Sequence, residues 1–184
     1  MILGWIILSV SLLMASLGSG LILSELFRVT LRNGVPSLSS TWAIVDKVIT
    51  THVFPVQGLI LDLGCGNGWT LRRLWRSGLR GPFVGYEKAF VPWLMGWFWN
   101  KLSYVPVKVV RQDFSQAPIE QAKGVYLFLL PSMLEKVGNM IKRRAKPGTV
   151  VVSAEFQIPG WTPDQTHEAR GVTRKKAKIY VYRT

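Results

Sequence analysis

The 184 residues fit one domain with a short appended segment, and 48% of them are hydrophobic, which is enough for a sizeable core. A single cysteine, Cys65, excludes a disulfide framework and a cysteine zinc cluster, and two histidines far apart in the sequence argue against a metal site. The formal net charge of +13 suits nucleic acid, anionic lipid or an acidic partner, although a solvated basic face made for solubility would give the same charge.

The N-terminal segment is apolar, with no charged residue between positions 2 and 24. As a helix it would be about 35 Å long, enough to cross a hydrocarbon core of about 30 Å. A signal peptide would need a basic start, which is missing here, and a buried core helix would not be apolar on every side. We therefore predict a transmembrane anchor over residues 1–27. Arg28 and Arg32 would then place the rest of the chain on the cytoplasmic side, or on the matrix side of an organelle.

A hinge and pre-domain element is predicted over residues 28–45, because Asn33-Gly34 and Pro36 favour turns. A helix with one apolar face follows over 42–49. The folded domain is predicted to occupy residues 46–184.

A glycine-rich turn follows the first predicted strand, residues 58–63, and precedes a helix over 69–75. Glycine lets the backbone turn sharply and lets a ligand approach closely. The spacing is G-x-G-x-G, and not the G-x-G-x-x-G of dinucleotide sites. Asp62 would repel a pyrophosphate and attract a cationic amino acid. The segment resembles motif I of class I S-adenosylmethionine-dependent methyltransferases, and a ligand-free tight turn is the alternative. Its candidate cofactor-binding residues are Asp62, Gly64, Cys65, Gly66, Asn67 and Gly68.

The second predicted strand, residues 83–87, ends on Glu87, 19 residues after Gly68. An acidic residue at this distance and at a strand end can accept hydrogen bonds from both ribose hydroxyls. We therefore predict that Glu87 binds ribose, and the alternative is an ordinary surface carboxylate beside Lys88.

An aromatic segment, residues 90–102, contains three tryptophans and two phenylalanines. Either it lies against a bilayer, where tryptophan is favoured at the interface, or it is a core helix packed on the sheet. Further strands are predicted over 107–111, 124–131, 149–156 and 179–183, with a helix over 133–145 and a basic run over 174–178.

Strands that alternate with helices predict an α/β fold, a Rossmann-like, mostly parallel sheet with helices on both faces. Ligands of such sheets bind at the carboxyl ends of the strands. The glycine turn, Glu87 and Asp113 all follow predicted strands at that edge.

The whole chain resembles a small family of membrane-anchored protein-lysine methyltransferases that act on the ATP synthase c-subunit or the adenine nucleotide translocase. The resemblance rests on the apolar N-terminal helix, motif I, Val35-Pro36-Ser37 and the closing Tyr180-Val181-Tyr182. Two departures are Gly66-Asn67-Gly68-Trp69, where the family commonly has Gly-Asp-Gly-Arg, and a shortened Pro-Phe-Val-Pro element.

The resemblance implies S-adenosyl-L-methionine as cofactor, no metal, and a lysine of a membrane protein as substrate, with the lipid bilayer as a further partner. It also implies that Asp113 binds the adenine amino group beside the backbone N–H of Phe114. Asp113 could instead cap a helical turn. Glu155, at the end of the fifth strand, is the candidate catalytic residue that contacts the substrate amine, or else it pairs with the basic tail.

Two other functions stay open. A methyltransferase with this cofactor could act on a lipid headgroup or on RNA, although a membrane helix disfavours nucleic acid. A membrane-tethered protein could also bind the cofactor without catalysis.

Overall fold

The computed structural model describes residues 2–31, 42–170 and 176–184. The predicted turn over 33–40, with Val35-Pro36-Ser37, lies outside the described residues, as do Arg174 and Lys175 of the basic run. The chain divides into two compact units, Met1–Pro36 and Ser37–Thr184.

The first unit contains helix α1 (Ile2–Leu31), whose side chains are described for residues 4–20. Hydroxyls of Ser11, Ser16 and Ser19 donate to backbone carbonyls one turn earlier. The predicted helix is therefore confirmed. Within the described residues, however, no helix combines the length and the apolar character that crossing a membrane requires. The prediction of a transmembrane anchor over residues 1–27 is thus not supported.

The second unit is a Rossmann-like α/β sheet with helices, as predicted. Its described residues form seven strands in the order β3-β2-β1-β4-β5-β7-β6. Neighbours among β1 to β5 pair in parallel, whereas β7 pairs antiparallel with both β5 and β6. The strands are β1 (Leu59–Leu63), β2 (Phe83–Tyr86), β3 (Val107–Val110), β4 (Ala122–Leu127), β5 (Val150–Ala154), β6 (Gln165–Arg170) and β7 (Lys176–Arg183).

Helices cover the sheet because its central strands are apolar on both sides. Ile60 of β1 packs in one core cluster, together with residues of α2 (Trp42–Thr50) and α3 (Trp69–Arg76). Leu61 and Leu63 pack in a second cluster, with residues of α5 (Pro131–Arg144). Helix α4 (Phe90–Ser103) connects β2 to β3. Because successive side chains of a strand point to opposite faces of the sheet, Asp62 lies on the same face as Ile60.

Strand β6 was not predicted, because its residues, Gln-Thr-His-Glu-Ala-Arg, show no apolar run. It forms by pairing with β7 at the edge of the sheet, where an exposed polar strand is tolerated. Strand β7 also begins at Lys176, three residues before the predicted Ile179, and Lys176 forms an ion pair with Glu168 of β6.

Candidate functional site

The strand order reverses at β1, whose neighbours are β2 on one side and β4 on the other. In open α/β sheets a crevice forms at such a reversal, beyond the carboxyl ends of the strands. The glycine turn follows β1, Glu87 follows β2, Asp113 follows β3 and Glu155 follows β5. The structure therefore places all the predicted site residues at one edge of the sheet.

The glycine turn has a backbone that only glycine adopts freely. Gly64, Gly66 and Gly68 have φ angles of 88°, 55° and 71°. A Cβ atom at Gly64 would lie 2.8 Å from Cδ2 of Leu129, and one at Gly68 would lie 2.6 Å from Cγ2 of Val109. Larger residues at these two positions would therefore press on the side chains of Leu129 and Val109.

Backbone hydrogen bonds hold the turn against the end of β2. The N–H groups of Gly64 and Cys65 donate to the carbonyl of Tyr86, at 2.9 and 3.1 Å. The side-chain Oδ1 of Asn67 accepts from the N–H of Trp69 at 3.1 Å, at the start of α3. Asn67 therefore stabilises the transition from turn to helix.

Glu87 joins the end of β2 to the glycine turn. Its Oε2 accepts from the N–H of Gly66 at 3.0 Å, and its Oε1 accepts from the N–H of Ala89 at 2.7 Å. A carboxylate oxygen can accept more than one hydrogen bond, so both oxygens retain acceptor capacity for a ligand. The side chain is thus fixed in position by the backbone and still able to bind hydroxyl groups.

Asp62 is only 3% exposed, at the base of the turn. Burial, and secondly the negative charge of Glu87, raise its pKa to about 8. Burial also raises the pKa of the Cys65 thiol, and the nearby charges of Asp62 and Glu87 add to this effect. Without a ligand Asp62 is therefore mostly protonated at neutral pH, and a cationic ligand would stabilise its ionised form.

A buried network behind the turn was not found from the sequence. Nη1 of Arg72 donates to the carbonyl of Asn67 at 2.7 Å and to Oδ1 of Asn100 at 2.8 Å. Nδ2 of Asn100 donates to the carbonyl of Val107 at 2.8 Å. The network links α3, α4 and β3 to the glycine turn. Arg72 looks in the sequence like one of many surface cations, and only the fold shows it to be buried.

Asp113 does cap a helical turn, which was the alternative to adenine binding. Its Oδ1 accepts from the N–H of Ser115 at 3.0 Å, and Oδ2 lies 3.3 Å from Nζ of Lys88. The hydrogen bond from Ser115, followed by the contact with Lys88, keeps the pKa of Asp113 below its ordinary value. Capping and adenine binding are compatible, so the role of Asp113 and Phe114 at adenine stays a prediction.

Glu155 directly follows β5 with a φ of 67°, a left-handed conformation that is rare for residues other than glycine. Its N–H donates to the carbonyl of Lys178 at 2.7 Å. Backbone strain of this kind is frequent at functional sites. The structure thus places Glu155 at the predicted strand end, and its contact with a substrate stays a prediction.

Comparison with known proteins identifies the family. Residues 62–165 match the model of the ANTKMT methyltransferase domain, a region that begins at Asp62 and includes Glu87, Asp113 and Glu155. The chain belongs to the ANTKMT methyltransferase domain family. The resemblance seen in the sequence is thereby confirmed.

Two curated relatives of this family member are named as lysine N-methyltransferases. An adenine nucleotide translocase lysine N-methyltransferase from Mus musculus is 31% identical over 74% of the chain, and the chain covers 59% of that protein. A protein-lysine N-methyltransferase from Saccharolobus islandicus is 39% identical over 71% of the chain and 83% of its own length. The chain thus spans little more than half of the mouse protein.

A solved structure has the same fold as this family member. It is described as an RNA methyltransferase from Salinibacter ruber in complex with S-adenosyl-L-homocysteine. The two are 28% identical, with a TM-score of 0.70, over 79% of this chain and 93% of the other.

Proposed function

We propose that this chain is an S-adenosyl-L-methionine-dependent protein-lysine N-methyltransferase. One observation carries the proposal: the glycine turn is bound to Glu87 at the strand reversal, inside the region that matches the family model. The names of the relatives from mouse and Saccharolobus islandicus support lysine as the acceptor.

The site residues fit this cofactor by charge and shape. A cationic amino-acid end beside Asp62 would favour the ionised carboxylate, and the glycines of the turn carry no side chain that would block a ligand. Glu87 retains acceptor capacity for the ribose hydroxyls. Asp113 and the backbone of Phe114 would bind the adenine at the end of the next strand. The glycine turn would supply the remaining contacts with the cofactor, through Gly64, Cys65, Gly66, Asn67 and Gly68.

The cofactor would supply a methyl group already activated by a sulfonium, so the protein's task is to position the acceptor and exclude water. A lysine amine must lose its proton first, which costs about 4.6 kcal/mol at pH 7. Buried apolar residues that follow β4, such as Leu129, would depress the pKa of that amine. Glu155 would contact the amine and accept its proton.

A lysine of a membrane protein is the substrate we propose. Support comes from the mouse relative, which is named for a translocase. The catalytic unit would act on the cytoplasmic face of a membrane, or on the matrix face in an organelle, where this cofactor is available.

RNA is the second candidate substrate, because the similar solved structure is described as an RNA methyltransferase. The net charge of +13 would also suit a polyanion. The curated relatives named for lysine favour protein over RNA.

One labelling experiment separates these functions. The purified chain is incubated with methyl-labelled S-adenosyl-L-methionine and native membranes or total RNA, and label is then counted in the protein, lipid and RNA fractions. We expect label in protein alone. Label in RNA or lipid would replace the proposed substrate, and cofactor binding by calorimetry without any transfer would indicate a non-catalytic binding protein.

A further inference from the structure

Helix α4 exposes the apolar side chains that the sequence could not place. Gly96 is its only buried residue within Phe90–Ser103. Phe98 is 55% exposed and Leu102 is 60% exposed, and a contiguous group of such side chains on a folded domain is unusual. We call this surface the α4 outer face, formed by the exposed residues Phe90, Leu94, Met95, Trp97, Phe98, Trp99, Lys101 and Leu102.

The α4 outer face is continuous. At about 100° per residue, its members fall within one arc of about 200°, and the half-buried and buried residues occupy the remaining arc apart from Val91. Lys101 is its only charged member. A helix on the surface of a water-soluble domain normally shows the reverse pattern, with its apolar stripe turned inward.

Contacts on the inner side fix this orientation. A Cβ atom at Gly96 would lie 2.9 Å from the carbonyl oxygen of Asn67, so the helix packs directly on the glycine turn. Asn100 is held on the same inner side by Arg72 and by the carbonyl of Val107. The helix therefore cannot rotate to bury its aromatic residues without breaking these contacts.

Cations lie against the aromatic rings of the α4 outer face. Nζ of Lys101 is 4.7 Å from the ring centre of Trp97, and the guanidinium of Arg111 is 5.0 Å from that of Phe90. The helix contains no acidic residue, and the exposed Lys88 lies two positions before it. Aromatic rings with lysine and arginine beside them are characteristic of protein segments at a lipid–water interface.

We propose that the α4 outer face docks on an anionic lipid bilayer. Its aromatic and aliphatic side chains enter the boundary between headgroups and acyl chains, and Lys101 and Arg111 pair with anionic headgroups. A second copy of the chain is a poorer occupant, because two molecules of net charge +13 repel each other. The inference does not depend on the proposed cofactor or substrate.

The test uses the full chain with an environment-sensitive fluorophore on a cysteine at position 98 (Phe98→Cys). Val56→Cys is the matched control, because Val56 is also exposed and lies outside α4. Treating the unsubstituted chain with the same fluorophore shows how much label reaches the buried Cys65. Vesicles are phosphatidylcholine alone, or phosphatidylcholine with phosphatidylglycerol. We expect a blue shift and quenching by acyl-chain nitroxides at position 98, strongest with anionic vesicles, and neither at position 56.

A second measurement removes the charges and keeps the apolar face. Lys101→Gln with Arg111→Gln is expected to weaken partitioning to anionic vesicles, followed by the fluorophore at position 98, by about 30-fold. Lys136→Gln with Lys142→Gln, two exposed residues of α5, is the control and should leave it unchanged. The proposal is overturned by the absence of a response at position 98, by equal responses at 56 and 98, or by equal loss in both charge variants. A dimer that Phe98→Glu dissociates would also overturn it.

Discussion

Asp62 is the residue whose chemistry depends most on its surroundings. Its pKa in the folded chain is about 8, against an ordinary value of 3.8. The folded state therefore binds more protons than the unfolded state between these values, and the free energy of unfolding falls as the pH rises through this window.

Asp62→Asn should remove this pH dependence, because an amide does not ionise. Between pH 4 and pH 8 we expect the free energy of unfolding of Asp62→Asn to rise by about 5 kcal/mol relative to that of the wild type. Urea unfolding of the two proteins across this range measures it. Glu135→Gln, on the exposed side of α5, is the control, and parallel curves for wild type and Asp62→Asn would contradict the prediction.

Glu87 is predicted to contribute directly to cofactor affinity. In Glu87→Gln the amide group can no longer accept through both side-chain atoms, so contacts with the Gly66 N–H or with ribose are lost. We expect the dissociation constant for S-adenosyl-L-methionine to rise about 10- to 100-fold, as measured by calorimetry. Glu120→Gln removes an exposed carboxylate paired with Arg144 and should have no effect. Equal affinities in wild type and Glu87→Gln would show that ribose is bound elsewhere.

The sequence alone identified the glycine turn and its acidic residue, because the glycine spacing and the carboxylate at the strand end lie within a few consecutive positions. They did not reveal Arg72, whose hydrogen bonds reach the carbonyl of Asn67 and the side chain of Asn100, 28 positions away. A contact of that kind exists only after α3 and α4 have packed.

At the scale of elements, α4 packs closely on the glycine turn at Gly96. Gly96→Ala would place a methyl group 2.9 Å from the carbonyl oxygen and 3.1 Å from the carbonyl carbon of Asn67. Because backbone is the neighbour, the helix or the turn must move. We expect a loss of about 1 to 3 kcal/mol in the free energy of unfolding and weaker cofactor binding.

Gly18→Ala is the control for this substitution, since Gly18 is also helical and a Cβ atom there meets nothing within 4 Å. It should leave the stability of the second unit and cofactor binding unchanged. If Gly96→Ala were as stable as wild type and bound the cofactor equally well, the close packing of α4 on the turn would be wrong.

Sequence patterns were sufficient to predict the bounds of some strands but not of others. Strands β1, β2 and β3 were predicted to within one residue at each end, because apolar runs bounded by turns fix them. Strand β6 was missed because its stability comes from pairing with β7. The rotation of α4 was undecided, since an aromatic run fits an outward or an inward face until Gly96 and Asn100 select one.

For the whole molecule, the sheet order explains how distant residues form one site. The glycine turn, Glu87 and Asp113 follow three neighbouring parallel strands, so alternation of strands and helices was enough to predict their common edge. Glu155 lies at the same edge on the other side of β4. The N-terminal segment shows the limit of such reasoning, because a run of uncharged residues predicted a membrane anchor that the described residues do not support.

The proposed reaction is methyl transfer to lysine at this edge of the sheet. The most direct measurement is tandem mass spectrometry of membrane proteins incubated with the chain and S-adenosyl-L-methionine carrying a deuterated methyl group. We predict mass increments of about 17 Da per transfer on lysine side chains, present with wild type and absent with Glu87→Ala. Increments on no lysine, or equal increments with both proteins, would contradict the account.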